Sequence, residues 1–174
     1  MDFYEVIEKR KSMRRFKPDL VPMDTIKKIL DAARLAPTWA NMQGVKFIIV
    51  NDKETVEKVG IAVGQKWAKY CPMFIVAISK ASSSGMNSGL EYFMLDVGIV
   101  FEHLILAATA EGLGTCWIGH FSEEEIKKIL SIPEKYRVVA LTPLGYPDKP
   151  AKETTRKPLS SMVHLNVYGK KIEN

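Results

Sequence analysis

The feature that most constrains the fold of this chain is a long apolar stretch from Leu90 to Leu113. Only a few polar side chains interrupt it: Glu91, Asp96, Glu102, His103 and Glu111. A bilayer-spanning helix needs about 20 predominantly apolar residues with few or no charges. We therefore predict a helix over 89–111 that is apolar on most of its circumference and lies in the middle of a soluble fold or in an interface.

The polar and aromatic residues of this helix have structural explanations. His103 is expected to be a core histidine with satisfied hydrogen bonds. Asp96 is expected to pair internally or to cap a neighbouring backbone group, because a buried charge without a partner is costly. Tyr92, Phe93 and Phe101 are expected to pack in the core and not against a ligand.

Helices and strands alternate along the rest of the chain. Four apolar residues have the i, i+3, i+4, i+7 spacing of a helix that Pro37 would end: Ile26, Ile29, Leu30 and Ala33. We predict further helices before residue 10, over 53–70 and after Ser122, and Ser122 forms a capping box with Glu125. We also predict a loop over 80–89. Strands are predicted over 45–51, 73–79, 115–119, 137–145 and 162–168. This alternation favours an α/β or α+β fold around one sheet.

Composition narrows the class of protein and its compartment. A chain of 174 residues suggests one domain. Its net charge of +5 favours an anionic partner without choosing among nucleic acid, membrane and phosphate. Cys71 and Cys116 form no metal-ligand cluster and are expected to stay reduced. The N-terminus does not resemble a signal peptide, so we expect a cytoplasmic protein.

Two stretches could bind a ligand, although each also has an ordinary structural explanation. "RKSMRRF" (10–16) combines guanidinium groups with a hydroxyl, as a phosphate site requires, but a solvated basic turn explains it slightly better. "APTWANMQGVKF" (36–47) carries the amides of Asn41 and Gln43, which suit the edge of a heterocycle. A loop that ends a helix would look the same.

A third stretch, "EGLGTCWIGHF" (111–121), combines glycines with a short strand. Gly112 and Gly114 do not form a dinucleotide fingerprint, because here a helix ends and a strand follows. One of them is more simply a helix C-cap. Gly119 could leave a bare backbone amide facing a ligand. The sequence has no recognisable hydrolytic triad, Walker lysine or metal-binding motif, and no metal site is expected.

Together and in this order, these stretches resemble the motifs of the FMN-dependent nitroreductase family. "RKSMRRF" resembles R-R-S-x-R-x-[FY], and "APTWANMQGVKFIIV" resembles A-P-S-x-x-N-x-Q-P-W-x-F-x-V. "LDVGIVFEHLILAATAEGLGTCWIGHF" resembles the central helix followed by G-L-G-x-x-W-[IL], and "LGYP" with "TTRKPLSSMV" resembles the family's ending. The resemblance runs from Phe3 to about Val163.

The chain departs from the family pattern in the second motif. Gly44 and Val45 stand where many members have Pro and Trp, and Trp39 stands where a small residue is usual. The chain is also short for the family and lacks the excursion that covers the active site in longer members. Substrate choice is therefore the property that transfers least.

The resemblance implies a nitroreductase-like α+β fold, with a central, mostly antiparallel sheet flanked by helices. It also implies one FMN-binding domain over 1–174 and a homodimer with two interfacial sites. In that dimer, the tail from about residue 150 to 174 would wrap the partner subunit with its terminal strand.

The family comparison also assigns roles to individual residues. Arg10, Ser12 and Arg156 would bind the FMN phosphate, with Lys11 in contact. Arg14 would stabilise negative charge on the reduced flavin, and a backbone N–H of Gly119 or His120 would point at flavin N5. Trp117 and Ile118 would line the ring, and Thr38, Trp39 and Asn41 would reach the flavin from the other subunit. The remaining cofactor-binding candidates are Gln43 and Cys116. Arg14 and Gly119 are the catalytic candidates.

The function implied is hydride transfer from NAD(P)H through FMN to a small oxidant such as a nitroaromatic or a quinone, in two half-reactions. A family relative that dehalogenates, desaturates or cleaves its flavin is one alternative, and a flavin-storing or sensory protein without turnover is another. A basic nucleic-acid-binding module is less favoured, because Lys and Arg are spread over the chain without a recognition motif. No nucleic acid, membrane or metal partner is expected.

Overall fold

The computed structural model describes residues 1–151 and 153–172. The helices are α1 (Phe3–Lys9), α2 (Met23–Arg34), α3 (Lys53–Ala62), α4 (Tyr92–Ala110) and α5 (Glu123–Ile129). The strands are β1 (Lys46–Val50), β2 (Phe74–Ser79), β3 (Met86–Asn87), β4 (Leu90–Glu91), β5 (Gly114–Thr115) and β6 (Arg137–Gly145). Short 3-10 turns cover Trp39–Asn41, Ala68–Tyr70, Ala81–Ser83 and Leu159–Ser161.

The main sheet has the strand order β1-β2-β6-β5, and every neighbouring pair is antiparallel. Lys46 lies opposite Ile78, Phe74 opposite Pro143, and Gly114 opposite Gly145. A second, two-stranded sheet pairs β3 with β4. The prediction of an α+β fold with a mostly antiparallel sheet and flanking helices is confirmed.

The main sheet separates two hydrophobic clusters. Alternate residues of β2 point to opposite faces, as in any strand, and both faces are covered. Ile75 and Ala77 join the cluster formed with α2 and α4, whereas Phe74 and Val76 join the cluster on the α3 and α5 side. All six β2 residues are therefore buried, which explains why the strand is apolar on both faces from Phe74 to Ile78.

The predicted apolar helix is confirmed as α4, although it begins at Tyr92 because β4 covers Leu90–Glu91. Gly112 ends the helix with φ +75°, and the Leu113 N–H donates to the Ala108 carbonyl at 2.9 Å. By length and composition α4 could cross a membrane. In this fold, its buried face packs on α2 and the sheet.

Asp96 of α4 is paired as predicted, because it accepts hydrogen bonds from the Trp39 N–H and the Ser84 hydroxyl. The prediction that His103 is a core residue is wrong, because that side chain is exposed.

Two predicted elements are longer than those observed. Helix α3 ends at Ala62 and not at residue 70, because Gly64 takes a left-handed φ of +73° that a helix cannot continue. The strand predicted over 115–119 is reduced to β5 and an isolated bridge between Ile118 and Leu141. The loop over 80–89 contains β3 and most of the tight turn into β4.

The terminal strand predicted over 162–168 is wrong for the described residues. Asn166 and Gly169 have φ values of +67° and +92°, so the chain turns back on itself. The Leu165 N–H donates to the Lys170 carbonyl at 2.8 Å, and the only pairing recorded for this described segment is a bridge between His164 and Lys171. The alternating pattern is therefore interrupted by a turn at Asn166.

Candidate functional site

A cavity of about 530 Å³ carries a concentration of positive charge. Its described lining residues are Arg10, Lys11, Ser12, Met13, Arg14, Arg15, Lys149, Pro150, Ala151, Thr154 and Arg156. Six of them are cations and none is acidic, and none of the six takes part in the ion pairs of the described residues. This lining, called the cationic cavity below, suits an anion.

The segment 10–16 reaches this position by docking on the end of the main sheet. Ser12 forms a parallel bridge with Thr115, and the Met13 N–H donates to the Thr115 carbonyl at 2.7 Å. Gly114 makes this approach possible, because a Cβ there would lie 2.8 Å from Cγ of Met13. A glycine at this point of β5 therefore lets the basic segment lie directly against the strand.

The docking also brings the first stretch against the third. Burial raises the pKa of the Cys116 thiol, while Arg14, the Ser12 hydroxyl and Arg10 all act to lower it. The Cys116 side chain is buried, and its N–H donates to Oγ1 of Thr142 at 2.9 Å. Cys116 is thus next to the basic segment, but its side chain is directed into the protein.

The rest of the third stretch leaves the sheet and becomes accessible. Trp117 is exposed on one side, and its ring packs edge-on against Phe101 with centroids 4.7 Å apart. Ile118 is buried, and its N–H and carbonyl both pair with Leu141, at 2.9 and 3.1 Å, so it does not contribute to a surface site within this chain. Gly119 and His120 are exposed, and a Cβ at Gly119 would meet only Nε1 of Trp117, at 3.8 Å. The backbone after Ile118 is therefore open to a ligand.

The second stretch lies apart from the cationic cavity. Thr38 and Gln43 line a different cavity of about 270 Å³, between α2 and the start of β1. The backbone between them is unusual, because Ala40, Asn41 and Gln43 have φ values of 43°, 57° and 51°. Within one chain, the first stretch therefore lies near both Arg156 and the third stretch. The candidates of the second stretch lie elsewhere: Thr38, Trp39, Asn41 and Gln43.

Comparison with known proteins identifies this arrangement. The model of the Nitroreductase family matches residues 7–70 and 61–146. This chain belongs to the nitroreductase family. A protein of Methanothermobacter thermautotrophicus, named as an NADH dehydrogenase/NAD(P)H nitroreductase, is 33% identical over 152 residues, which cover 84% of this chain and 78% of that protein.

Solved structures of nitroreductases show the same fold. The crystal structure of a nitroreductase family protein from Clostridium novyi NT is 40% identical, covers 98% of this chain and 97% of its own, and superposes with a TM-score of 0.82. Among more distant relatives, an FMN reductase [NAD(P)H] of Bacillus subtilis is 27% identical over 91% of this chain and 71% of its own. An iodotyrosine deiodinase of Thermotoga neapolitana is 25% identical over 95% of this chain and 98% of its own.

The structure adds site residues that the family motifs did not indicate. Arg15, to which the family comparison assigned no role, lines the cationic cavity. Arg14 and Arg15 also border a second cavity of about 580 Å³, which includes Lys66 and Trp67. Cζ of Arg14 lies 6.0 Å from the centroid of the Trp67 ring, within reach of a cation–π contact. Trp67 lay inside the predicted helix over 53–70, and no pattern around it indicated a site.

The described part of the chain holds no group of three or more His, Cys, Asp or Glu side chains arranged for a metal ion. Burial, together with the nearby Cys116, raises the pKa of the Cys71 thiol to about 12. Neither cysteine is therefore an activated thiolate at neutral pH. The chemistry that the described residues suit best is the binding of an anionic ligand. Arg14 lies between the cationic cavity and the cavity beside Trp67.

Proposed function

We propose that this nitroreductase family member binds FMN and passes a hydride from NAD(P)H to a small oxidant, such as a nitroaromatic or a quinone. The observation that carries the proposal is the cationic cavity, which forms where the first family motif docks beside the third. The names of the relatives, which include an NAD(P)H-dependent FMN reductase, support the same cofactor and co-substrate.

The donors in the cationic cavity fit the phosphate of FMN. Arg10, Lys11 and Arg156 supply cationic donors, and Ser12 supplies a neutral hydroxyl. Guanidinium groups bind phosphate oxygens in pairs, and the described lining has no carboxylate that would repel them. We propose that these four residues hold the phosphate.

Arg14 and the segment after β5 would serve the flavin ring. When bound, FMN would supply the hydride-accepting and hydride-donating chemistry, so the protein needs neither a nucleophile nor a dedicated acid-base pair. The guanidinium of Arg14 would favour negative charge on the ring edge that it faces. The exposed amides of Gly119 and His120 would donate hydrogen bonds, and Trp117 would present an accessible aromatic surface.

We also propose a homodimer with the sites at the subunit interface. On the side of α4 away from the core, Met94, Leu95 and Ile99 are exposed and form an apolar face. A two-fold interface along this face would repeat each contact and create two equivalent sites. Thr38, Trp39, Asn41 and Gln43 would then reach the flavin from the partner, and residues from about 150 to 174 would wrap it.

A cytoplasmic location and a single FMN-binding domain over residues 1–174 complete the proposal. Two free, buried cysteines agree with a reducing compartment.

The function is tested by titrating the purified, flavin-free protein with FMN and then adding NADH or NADPH. We expect FMN to bind, its absorption to bleach with one of the nicotinamides, and the colour to return with a quinone or a nitroaromatic. Arg10→Gln and Arg156→Gln should each raise the Kd for FMN by about tenfold, since a charge-assisted hydrogen bond is lost.

Lys58→Gln is the control for these two variants, because Lys58 pairs with Glu54 on the surface of α3 and lines neither the cationic cavity nor the cavity beside Thr38 and Gln43. It should bind FMN as tightly as the unmodified chain. A protein that takes up no FMN would exclude the proposed function.

Reductive dehalogenation is a second candidate, because an iodotyrosine deiodinase aligns with 95% of this chain. A panel that compares halophenols with nitroaromatics and quinones as oxidants of the reduced protein would separate the two. Faster reoxidation by the halophenols, with release of halide, would favour the second candidate.

A further inference from the structure

Two departures from the nitroreductase motifs rest on the same short segment of this chain. Trp39 stands where a small residue is usual, and Gly44 stands where many members have proline. Trp39 lies against Gly85, and Gly44 lies against Ser83. The two positions, five residues apart in sequence, are therefore linked through residues 83–85.

The contact at Trp39 requires a glycine opposite. A Cβ at Gly85 would overlap the Trp39 indole, so no other residue fits there unless the ring moves. The indole also packs on Tyr92, with ring centroids 4.4 Å apart. Gly85 itself is held at the start of α4, because its carbonyl accepts a hydrogen bond from the Tyr92 N–H at 2.9 Å.

The contact at Gly44 is equally close. A Cβ there would lie 2.5 Å from Cβ of Ser83, so a side chain or a proline ring would displace that serine. The Ser79 hydroxyl donates to the Gly44 carbonyl at 3.2 Å. Gly44, at the end of the loop over 38–44, therefore contacts the same segment, residues 83–85, as Trp39 near its beginning.

A buried carboxylate joins these parts. Oδ1 of Asp96 accepts the Trp39 N–H at 2.7 Å, and Oδ2 accepts the Ser84 hydroxyl at 2.6 Å. Asp96 is 3% exposed, and both of its short hydrogen bonds go to this loop and its support. The loop needs such support, because Ala40, Asn41 and Gln43 are all left-handed, a conformation that asparagine tolerates but that is costly for alanine and glutamine.

We propose that Trp39 is a specificity-determining residue for the oxidant and that Asp96, Ser84 and Gly85 form a clamp that positions it. Trp39 is 39% exposed, so the clamp presents a fixed aromatic wall on the loop that carries Asn41 and Gln43. Such a wall favours flat oxidants and excludes bulky ones. The inference rests on the proposed function, because the loop must face the flavin for the wall to meet an oxidant.

The decisive experiment is a double-mutant cycle of Gly85→Ala and Trp39→Ser. In the flavin-free protein, Gly85→Ala should lower Tm by about 3–10 °C, because the new methyl group displaces the indole. In the Trp39→Ser background the same change should shift Tm by no more than about 1 °C, since the space is then free. Additive effects on Tm would overturn the clamp.

The role in specificity is read from the FMN-loaded variants as the ratio of kcat/KM for a bulky quinone to that for a small, flat one. Trp39→Ser should raise this ratio by about tenfold. Gly85→Ala should shift it in the same direction, but only when Trp39 is present. An unchanged ratio in Trp39→Ser would overturn Trp39 as the wall.

Asp96 has its own conservative test. Asp96→Asn keeps an acceptor for the Trp39 N–H and should retain most of the native ratio, whereas Asp96→Ala should lose it. Equal ratios in these two variants would overturn Asp96 as a positioning residue. Failure of the unmodified chain to bind FMN would overturn the proposed function, whereas additive Tm effects in a chain that binds FMN would overturn the clamp alone.

Discussion

Arg14 borders both the cationic cavity and the cavity beside Trp67, as Arg15 does, but it differs from the other cations of its segment because it faces an aromatic ring. Its guanidinium is 6.0 Å from the Trp67 ring centroid, and it also lowers the pKa of Cys116 against the effect of burial. In the proposed site, a cation in this position would act on charge that develops when the flavin is reduced, more than on charge already present in the phosphate.

Arg14→Ala should therefore slow flavin reduction more than it weakens FMN binding. We expect the rate of reduction by NAD(P)H to fall by about 10- to 100-fold, while the Kd for FMN rises by less. Rapid mixing of the FMN-loaded protein with NAD(P)H measures the first quantity, and fluorescence titration measures the second. Lys58→Ala is the control, because Lys58 is a paired surface cation of α3 away from the cavities. An unchanged reduction rate in Arg14→Ala would remove Arg14 from this role.

At the scale of the element, Glu123 joins α5 to β6. Its carboxylate accepts two hydrogen bonds from the Arg137 guanidinium at 2.9 Å and one from the Val138 N–H at 2.9 Å. Although burial raises it, the pKa of Glu123 is held below its usual value by these hydrogen bonds, with a smaller effect from Lys127. The carboxylate is thus more stable as an anion in the folded protein than in the unfolded one.

Glu123→Gln should lower the free energy of unfolding by about 1–2 kcal/mol at pH 7, because charge-assisted hydrogen bonds are lost. A lowered pKa stabilises the fold above the unfolded value of about 4.3, and this contribution is lost as the pH falls through the folded value. The difference from the unmodified protein should therefore shrink between pH 5 and about pH 3. Urea unfolding at several pH values measures it.

Glu124→Gln is the matched control, because Glu124 lies in the same first turn of α5 and is exposed. It should change stability by less than about 0.5 kcal/mol at either pH. A constant difference for Glu123→Gln across this pH range would contradict the assigned role of its carboxylate.

At the scale of the whole molecule, the exposed face of α4 bears on whether one chain or a dimer forms the proposed FMN site. The long apolar pattern of this helix has two explanations in the structure. One side packs on α2 and the sheet, and the other leaves Met94, Leu95 and Ile99 exposed. The proposed dimer would bury the second side and bring the separate loop over 38–43 to the cationic cavity of the partner.

Leu95→Glu should therefore produce a monomer and weaken FMN binding, because each site would lose the residues supplied by the partner. Light scattering coupled to size-exclusion chromatography measures the mass, and FMN titration measures the site. Ile61→Glu is the control, since Ile61 is equally apolar and exposed but lies on α3. An unmodified chain that is monomeric with FMN bound would contradict the dimer.

Much of the fold could be predicted from sequence, because burial leaves a pattern. The strand over 73–79 and the helix over 89–111 are apolar since both faces of β2, and one face of α4, meet the core. The predicted bounds were wrong where the backbone conformation of a single residue ended or turned an element. Gly64 ended α3 early, and Asn166 turned back the predicted terminal strand.

The candidate site divides along a similar line. The sequence by itself determined the family, through motifs whose order and residue types chemistry constrains, and it placed Arg10, Ser12, Arg14 and Arg156 among the cofactor-binding candidates. Only the tertiary structure decided that Gly114 lets the basic segment dock on β5, and that Gly85 seats Trp39. These contacts join residues far apart in the chain and depend on the absence of a side chain, which leaves no periodic pattern that a sequence can show.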